Sequence, residues 1–282
     1  MADGNELGPL VQIGDIICNS DGLDSAGVAW LCEEFEGWGS PGSTLEVVQR
    51  SGDHGGWDGD AFLKPRIVSL KGMLAAPTAA AAQDALSRLN QAVSLALSPL
   101  TVTEAGLART CMVRRQDDVL ASAVSAREYE WSAQVVAPDP RKYTAWSAAV
   151  TGLPSSTGGL TWPVTWPVVW AATVTTGVLS VVNAGDIGSR PVLRIDGPCQ
   201  RPRVALVGTG QVLAWDLTLD VGQWLDVDTD RHTSLLNGQV SRSGMMTSRG
   251  WFEITGAQEI QFTADVYDPA ALLTVTYRSA WQ

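Results

Sequence analysis

Alternating hydrophobic and polar residues recur along the chain and predict a protein built mainly from β-strands. Within the segment 211–220, every second residue from Leu213 to Leu219 is large and apolar. A period of two directs one set of side chains into a core and leaves the other set more solvated. Such short strands, broken by Gly, Asp and Pro, continue through residues 190–281 and predict a β-sandwich or jelly roll there.

The segment that follows Pro77 has the spacing of an amphipathic helix instead. Thr78 can act as its N-cap, because a threonine hydroxyl can accept a hydrogen bond from an unpaired amide of the first turn. Ser98-Pro99 ends the pattern, since proline disfavours the helical conformation of the residue before it. We therefore predict one helix over about 78–98, covering an open sheet face in an α+β arrangement. Its apolar stripe comprises Ala82, Ala85, Leu86, Leu89, Val93 and Leu97.

Two glycine-containing segments predict turns of different kinds. Asn237-Gly238 predicts a two-residue type I′ turn between strands, because both residue types tolerate positive φ. Residues 51–60 contain four glycines among acidic residues, and no Lys-Ser or Lys-Thr follows them. The aspartates would repel phosphate, so this segment predicts a solvated loop rather than a phosphate-binding loop.

Composition and charge narrow the functional classes. The net charge of the 282-residue chain is -11, which argues against nucleic-acid binding because that needs clustered Lys and Arg. Twelve tryptophans against four phenylalanines suit interfaces and grooves as well as cores. Four scattered cysteines without a C-x-x-C pair are expected to be reduced and packed. The acidic N-terminus lacks signal-peptide features and the longest apolar stretch, 164–182, is interrupted, so we expect a soluble protein made in a cytoplasm.

The sequence contains no recognisable set of catalytic residues. His54 and His232 are the only histidines, and no G-x-S-x-G nucleophile elbow occurs. The segment 226–230 resembles the start of a calcium loop, but Arg231 replaces the required glycine and Asn237 the glutamate. A pair of carboxylates for glycoside hydrolysis stays open, because spatial separation is not visible in a sequence. The expectation is a protein that is not an enzyme and has no cofactor, catalytic residue or metal site.

A tryptophan- and proline-rich segment separates two β-rich regions. Residues 143–184 contain a flexible Ser-Gly run followed by a repeat of Trp-Pro, and proline cannot donate to a strand ladder. An exposed Trp-Pro segment would be an apolar liability unless something covers it. We predict that Trp162, Trp166 and Trp170 lie at an interface, either between domains or with a neighbouring subunit.

Several segments, in this order, together resemble one family. The distal tail proteins of long-tailed, non-contractile phages, also called minor tail or tail hub proteins, are similar over most of the chain. The segments that carry the resemblance are 66–72 with the capped helix, 131–140, 185–198, 222–229, 236–238 and 276–281.

The resemblance implies a domain organisation and a structural role. It implies a ring-forming N-terminal domain of split-barrel type (1–142), the linker or arm (143–184) and a galectin-like β-sandwich (185–282). It further implies a homohexameric ring in the virion that joins the tail tube to the tail tip and adsorption apparatus. The expected partners are other copies, the tail tube protein, and the tip hub and receptor-binding proteins. Neither nucleic-acid binding nor membrane insertion is expected, and assembly is expected in the host bacterial cytoplasm.

Two alternatives from other functional classes stay open at this point. The first is a carbohydrate-binding module of the tail tip, whose exposed tryptophans would stack on host wall sugars. The second is a tail-associated hydrolase that would use an acidic pair.

Overall fold

The computed structural model describes residues 8–157 and 173–282. The chain divides into two compact units, the first ending at Ala145 and the second spanning Trp146–Trp281. Both are built from antiparallel strands, and the described residues contain a single α-helix. The prediction of a mainly β protein with one helix is confirmed. No helix in the described ranges is long and apolar enough to cross a membrane.

Unit 1 is a strongly curved antiparallel sheet whose strand order is β2-β1-β7-β8-β10-β6-β3, with β9 alongside β10 and β11 alongside β8. Its elements are β1 Leu10–Ile13, β2 Ile16–Cys18, β3 Ala29–Glu36, β4 Ser43–Gln49, β5 Gly56–Leu63, β6 Arg66–Ala75, α1 Ala79–Ala92, β7 Ser98–Glu104, β8 Leu107–Arg115, β9 Leu120–Ala123, β10 Glu128–Ala137 and β11 Lys142–Tyr143. A turn at residues 14–15 separates β1 from β2.

The buried residue Asn19 joins the two ends of this sheet into a nearly closed barrel. Its side chain donates to the Cys32 carbonyl at 3.1 Å and accepts from the Cys32 amide at 2.9 Å. Cys32 lies on β3, whereas Asn19 directly follows β2, so the two outermost strands of the path are tied together. An amide side chain can bond a backbone donor and a backbone acceptor at once. The side chain of Asn19 therefore takes the place of the backbone hydrogen bonds that a neighbouring strand would make with β3.

The helix α1 closes one side of the unit-1 core, and its N-cap prediction is confirmed. The hydroxyl of Thr78 accepts from the Ala81 amide at 3.1 Å. Leu89 is 1% exposed and Val93 is also buried, in the same apolar cluster as Leu70 and Trp131.

The predicted C-terminal end of the helix was wrong. The helix ends at Ala92, not near residue 98, and Leu97 is exposed. Ser98 already begins β7, which pairs with both β1 and β8. The chain therefore needs residues 93–97 to turn from the helix into that strand.

Truncation of Leu89 to Ala is expected to reduce the free energy of unfolding of unit 1 by about 2–5 kcal/mol, because it removes buried methyl groups and leaves a cavity. Urea denaturation checks this value. The matched control is Leu95→Ala on the exposed residue Leu95, for which a change within about 0.5 kcal/mol is expected. Equal effects of the two substitutions would contradict the packing of the helix.

Unit 2 is a two-sheet sandwich. One sheet has the order β12-β26-β16-β21-β22-β23 and the other β15-β25-β18-β19-β24, with the short pairs β13–β14 and β17–β20 beside them. A 3₁₀ turn spans Ser243–Met245. The strands are β12 Ser147–Gly152, β13 Ser155–Thr157, β14 Thr173–Thr175, β15 Val178–Asn183, β16 Val192–Asp196, β17 Cys199–Gln200, β18 Arg203–Leu206, β19 Val212–Trp215, β20 Thr218–Leu219, β21 Trp224–Asp228, β22 Thr233–Leu236, β23 Val240–Ser241, β24 Met246–Arg249, β25 Gly256–Thr263, β26 Leu272–Tyr277 and β27 Ala280–Trp281.

Apolar side chains of both sheets meet in one core. Leu193, Leu225 and Val275 from the first sheet, and Val204 and Phe262 from the second, are fully buried in it. Period-two burial in β16 and β21 is the pattern expected of strands with one face inside a sandwich.

Of the predictions for unit 2, the turn is confirmed and the long strand is not. The Asn237-Gly238 turn is confirmed, with φ values of 52° and 68° and a bond from the Gln239 amide to the Leu236 carbonyl. The strand expected over 211–220 is instead broken into β19 and β20, because the Asp216 amide turns to the Met245 carbonyl. Further along the chain, Ile254 forms an isolated antiparallel bridge with Ser189.

Candidate assembly surfaces

The tryptophans predicted to lie at an interface fall outside the described residues. Trp162, Trp166 and Trp170 belong to the segment 158–172, so their placement stays a prediction. Strands β12 and β15, from the stretch 143–184 predicted as a linker, belong to the two sheets of unit 2.

A hairpin formed by β4 and β5, which we call the arm (43–63), exposes several large apolar side chains in unit 1. Its two strands pair only with each other among the described residues. Val48, Trp57 and Phe62 share one face, Leu45 and Val47 lie on the other, and all five side chains are more than half exposed. An isolated two-stranded hairpin is marginally stable in water, so the arm is an element that needs cover.

The loop predicted over 51–60 is only partly a loop. The turn is confined to residues 51–55, whereas Gly56 and Gly59 lie in strand β5. A Cβ added at Gly59 would lie 2.6 Å from the Glu46 carbonyl, at the irregularity where two residues of β5 oppose one residue of β4. Glycine therefore marks a β-bulge here. The apolar residues on both sides of the acidic tip were the signal that could have identified a hairpin.

The base of the arm is held by a buried arginine. Arg66 is 1% exposed. Its Nε donates to the Pro140 carbonyl at 2.9 Å, and its Nη1 donates to the carbonyls of Gly37, Trp38 and Gly39. Burial lowers the pKa of the Arg66 guanidinium. A guanidinium carries five donors in a planar fork, which suits it to hold a loop by its carbonyl groups.

A lysine reinforces the same loop. Buried Lys142 donates from Nζ to the Trp38 carbonyl at 2.9 Å, and its Nζ lies 5.4 Å from the centre of the Trp38 ring. The chain enters the arm from this loop, and the Lys64 amide returns to the Gly42 carbonyl at 2.7 Å. The arm thus extends from a base fixed by two cations.

A cleft of about 630 Å³ opens beside this base. Its wall carries acids and cations together, and Arg109 lies 3.7 Å from Glu104. This mixture gives the cleft no single preferred charge for a ligand. The lining includes Glu33, Phe35, Trp38, Glu104, Arg109 and Lys142.

Four of the described tryptophans that reach solvent have a cationic or imidazole side chain over the ring. A ring face covered in this way is not open for stacking on a sugar, so the arrangement does not favour the carbohydrate-binding alternative. Trp and Arg are instead the residues enriched in protein interfaces. The pairs and their distances to the ring centre are Arg50–Trp57 at 4.5 Å, Arg278–Trp146 at 4.3 Å, Arg194–Trp224 at 4.5 Å and His232–Trp251 at 4.7 Å.

The carboxylates of the calcium-like segment are engaged within the chain. Asp228 accepts from the amides of Asp230 and Arg231 at 2.9 and 3.0 Å, and Asp230 pairs with Arg190. Within the described ranges, no cluster of three or more His, Cys, Asp or Glu side chains could hold a metal. The resemblance of 226–230 to a calcium loop therefore reflects local turn chemistry.

Asp24 is a carboxylate with a structural role. Burial alone would raise its pKa, but bonds from the Trp30 indole, the Val28 amide and the Arg88 guanidinium outweigh burial and lower it to about 2. The Arg88 Nη1 lies 2.7 Å from the carboxylate of Asp24. A general acid needs a raised pKa, so Asp24 is unsuited to that role, and its bonds to Val28 and Trp30 hold the loop before β3.

The segment 185–198, which carried part of the family resemblance, is constrained by packing. Buried Asn183 just before it donates to the carbonyls of Ile187 and Ile254 at 2.7 and 2.8 Å, and accepts from the amides of Gly185 and Ala280. A Cβ added at Gly185 would lie 1.7 Å from the Ala280 carbonyl oxygen. This motif is therefore a structural junction of unit 2.

All four cysteines are free and buried. Burial raises the pKa of each thiol, to about 11 for Cys32 and Cys199, to about 12 for Cys111, and further for Cys18. The thiolate is the reactive form, so these side chains act as apolar core residues, in agreement with the expectation from their spacing.

Comparison with known proteins finds structural similarity but no sequence match. No protein-family model and no curated protein matches the sequence. The crystal structure of the phage SPP1 Dit protein, described as a paradigm of hub adsorption apparatus in Gram-positive infecting phages, superposes with a TM-score of 0.66 at 12% identity. The match covers 98% of this chain and all of the SPP1 protein. The chain has the Dit fold.

Two further matches are chains of phage P2 baseplates in the activated conformation. The chain in the calcium form matches with a TM-score of 0.51 at 11% identity, and that in the strontium form with 0.52 at 13%. Each match covers 95% of this chain and 98% of the other. The resemblance to distal tail proteins inferred from the sequence motifs is confirmed at the level of the fold.

Proposed function

We propose that the chain is a structural virion protein of a long-tailed, non-contractile phage. It forms a ring at the distal end of the tail tube and joins the tube to the tail tip and adsorption apparatus. The observation that carries the proposal is the arm, whose five large apolar side chains are more than half exposed on both faces. Monomeric proteins rarely expose a large cluster of apolar side chains, and such a cluster is typical of a surface that contacts another protein.

The fold supports the same role. The SPP1 protein, which matches nearly the whole chain, is described as a paradigm of the hub adsorption apparatus. The ring is homohexameric, as the family resemblance implies, and its partners are the tail tube protein, the tip hub and the receptor-binding proteins. The proposed location is the virion tail tip, after assembly in the host cytoplasm. Trp162, Trp166 and Trp170 are proposed interface residues, and 1–142, 143–184 and 185–282 the proposed domains.

Native mass spectrometry and negative-stain electron microscopy of the purified protein test the assembly. We expect rings with the mass of six chains, and labelling of the virion at the end of the tail tube by an antibody against unit 2. A chain that is monomeric both in solution and in the tail would contradict the proposal. A glycan array with the same preparation tests the carbohydrate alternative, for which we expect no binding to host wall sugars.

A further inference from the structure

The hairpin turn of unit 2 places an asparagine directly before a glycine at the protein surface. Asn237 and Gly238 are both exposed, and their φ values are 52° and 68°. Glycine has no Cβ, so its backbone can be approached closely. The side-chain amide of Asn237 is therefore followed in the chain by an unobstructed backbone nitrogen.

The side-chain nitrogen of Asn237 has no hydrogen-bond partner in the described part of the chain. Its side-chain oxygen accepts from the Trp224 amide at 3.0 Å, and Nδ2 is left unpaired. The amide of Gly238 also donates to no described residue, whereas the amides of Asn237 and Gln239 on either side of it do donate. Neither of the two nitrogens is thus held by another group.

The other described asparagines differ in this respect. Asn19 and Asn183 are buried, and the Nδ2 of each donates to two backbone carbonyls. Asn90 lies within α1 and donates to the Leu86 carbonyl at 3.1 Å. None of these three is followed by glycine. Asn237 is therefore the described asparagine whose side-chain amide has the least protection.

Strand β23, which follows the turn, has few contacts that hold it in place. It has only two residues, both exposed, and it pairs with β22 alone among the described strands. Elements with few buried contacts open locally at low free energy. Such opening, together with loss of the 2.8 Å bond from the Asn237 amide to the Trp224 carbonyl, frees the backbone at Asn237 to rotate. The Gly238 nitrogen can then reach the side-chain carbonyl carbon.

We propose that Asn237 is a site of spontaneous deamidation in the folded protein. The Gly238 nitrogen attacks the side-chain carbonyl carbon of Asn237, forms a C–N bond and loses its proton to water. The bond from that carbon to Nδ2 breaks, and the nitrogen takes a proton from solvent and leaves as ammonia. Water then opens the five-membered imide at either carbonyl, which gives aspartate or isoaspartate without an enzyme or an oxidant.

Both products change the end of the sheet at which the turn lies. A carboxylate at residue 237 adds a negative charge where one is already near, because Oδ2 of Asp226 lies 3.6 Å from the position of a Cβ at Gly238. Isoaspartate in addition lengthens the backbone by one methylene group. Strand pairing depends on register, so β23 should lose its pairing with β22 and exchange its amide hydrogens faster.

Incubation of the purified protein in mildly alkaline buffer, followed by peptide mass spectrometry, tests the site. The tryptic peptide 232–242 should gain the mass difference between an amide and a carboxyl group, and fragment ions should place the gain at Asn237 rather than Gln239. Isomerisation of an aspartate leaves the mass unchanged, so it does not interfere. We expect conversion at least about tenfold faster than at Asn90 or Asn183, which need a helix or a core to open first.

A urea-unfolded sample is the positive control, because its Asn-Gly pair is free of the turn. The variant Asn237→Gly keeps a residue suited to a type I′ turn. It should show no mass gain in this peptide and should keep slow hydrogen exchange in β23 after the same incubation. No gain at Asn237 in the folded protein, whether or not the unfolded sample converts, or equally fast conversion at Asn90, would overturn the inference. Neither result affects the proposed function, which does not depend on this turn.

Discussion

Replacement of Arg66 by methionine is expected to lower the free energy of unfolding of unit 1 by about 2–4 kcal/mol. The substitution leaves four carbonyl groups, those of Gly37, Trp38, Gly39 and Pro140, without the guanidinium donor. A hydrogen bond from a charged group contributes about 1.5–3 kcal/mol, but the bonds to Gly37, Gly39 and Pro140 are only partly buried and the Trp38 carbonyl keeps its bond from Lys142. Relief of the desolvation of the charge offsets a further part of the loss, so the expected net change is well below the sum of four bonds.

The same substitution should also loosen the base of the arm. Hydrogen exchange in residues 37–42 is expected to accelerate, because that loop loses the three bonds that Arg66 donates to its carbonyls. Urea denaturation and hydrogen-exchange mass spectrometry measure the two effects. Arg114→Met at an exposed position is the matched control and should change neither quantity. Unchanged exchange in 37–42 of the Arg66 variant would show that the loop is held by other contacts.

Substitution of Asn183 by aspartate is expected to destabilise unit 2 by about 3–5 kcal/mol at neutral pH. The change is nearly isosteric, but it replaces the amide nitrogen that donates to the carbonyls of Ile187 and Ile254 with an acceptor oxygen. A carboxylate would then face two carbonyl oxygens at a site that is 2% exposed. An uncompensated buried charge costs several kcal/mol. Thermal and urea unfolding of the variant and the wild type measure the difference in the free energy of unfolding.

The pH dependence of this loss has a definite sign. Burial against carbonyl oxygens raises the pKa of the new carboxyl group in the folded state above the unfolded value of about 3.9. The unfolded chain then binds fewer protons than the folded chain between the two pKa values, so the penalty grows with rising pH there. Below about pH 4 the group is protonated in both states and can donate one bond, so the penalty shrinks.

The control is Asn90→Asp on the exposed surface of the helix, where the amide donates only to the Leu86 carbonyl. A change below about 1 kcal/mol is expected there. A loss at Asn183 that is as small as the control, or that does not vary with pH, would mean that the junction tolerates a carboxylate through rearrangement.

The elements that depend on local chemistry could be predicted from the sequence. The Thr78 cap and the Asn237-Gly238 turn were found because each depends on residues close in the chain. The end of the helix was predicted too late, since Leu97 continues the stripe although β7 requires a strand from Ser98. Pairing with distant strands decided that boundary, and distant pairing is not visible in a local pattern.

The arm and the buried Arg66 at its base show why other features of unit 1 could not be predicted from the sequence. The glycines of 51–60 favour a loop, although Gly56 and Gly59 serve a strand and its bulge. Arg66 recognises backbone carbonyls, which every residue carries, so the sequence offers no partner for it. The edge at β9 likewise depends on which strands stay unpaired after folding, a property of the topology rather than of the residues 120–123.

Under the proposed function, the state of the cysteines has a consequence for a particle that leaves the cell in which it is made. Transfer from a reducing to an oxidising medium changes the covalent structure of proteins whose thiols are accessible and readily ionised. Here all four sulfur atoms are enclosed and hard to deprotonate. The chain would therefore keep the same cysteine chemistry inside and outside the host, and its durability would depend on packing and subunit contacts rather than on cross-links.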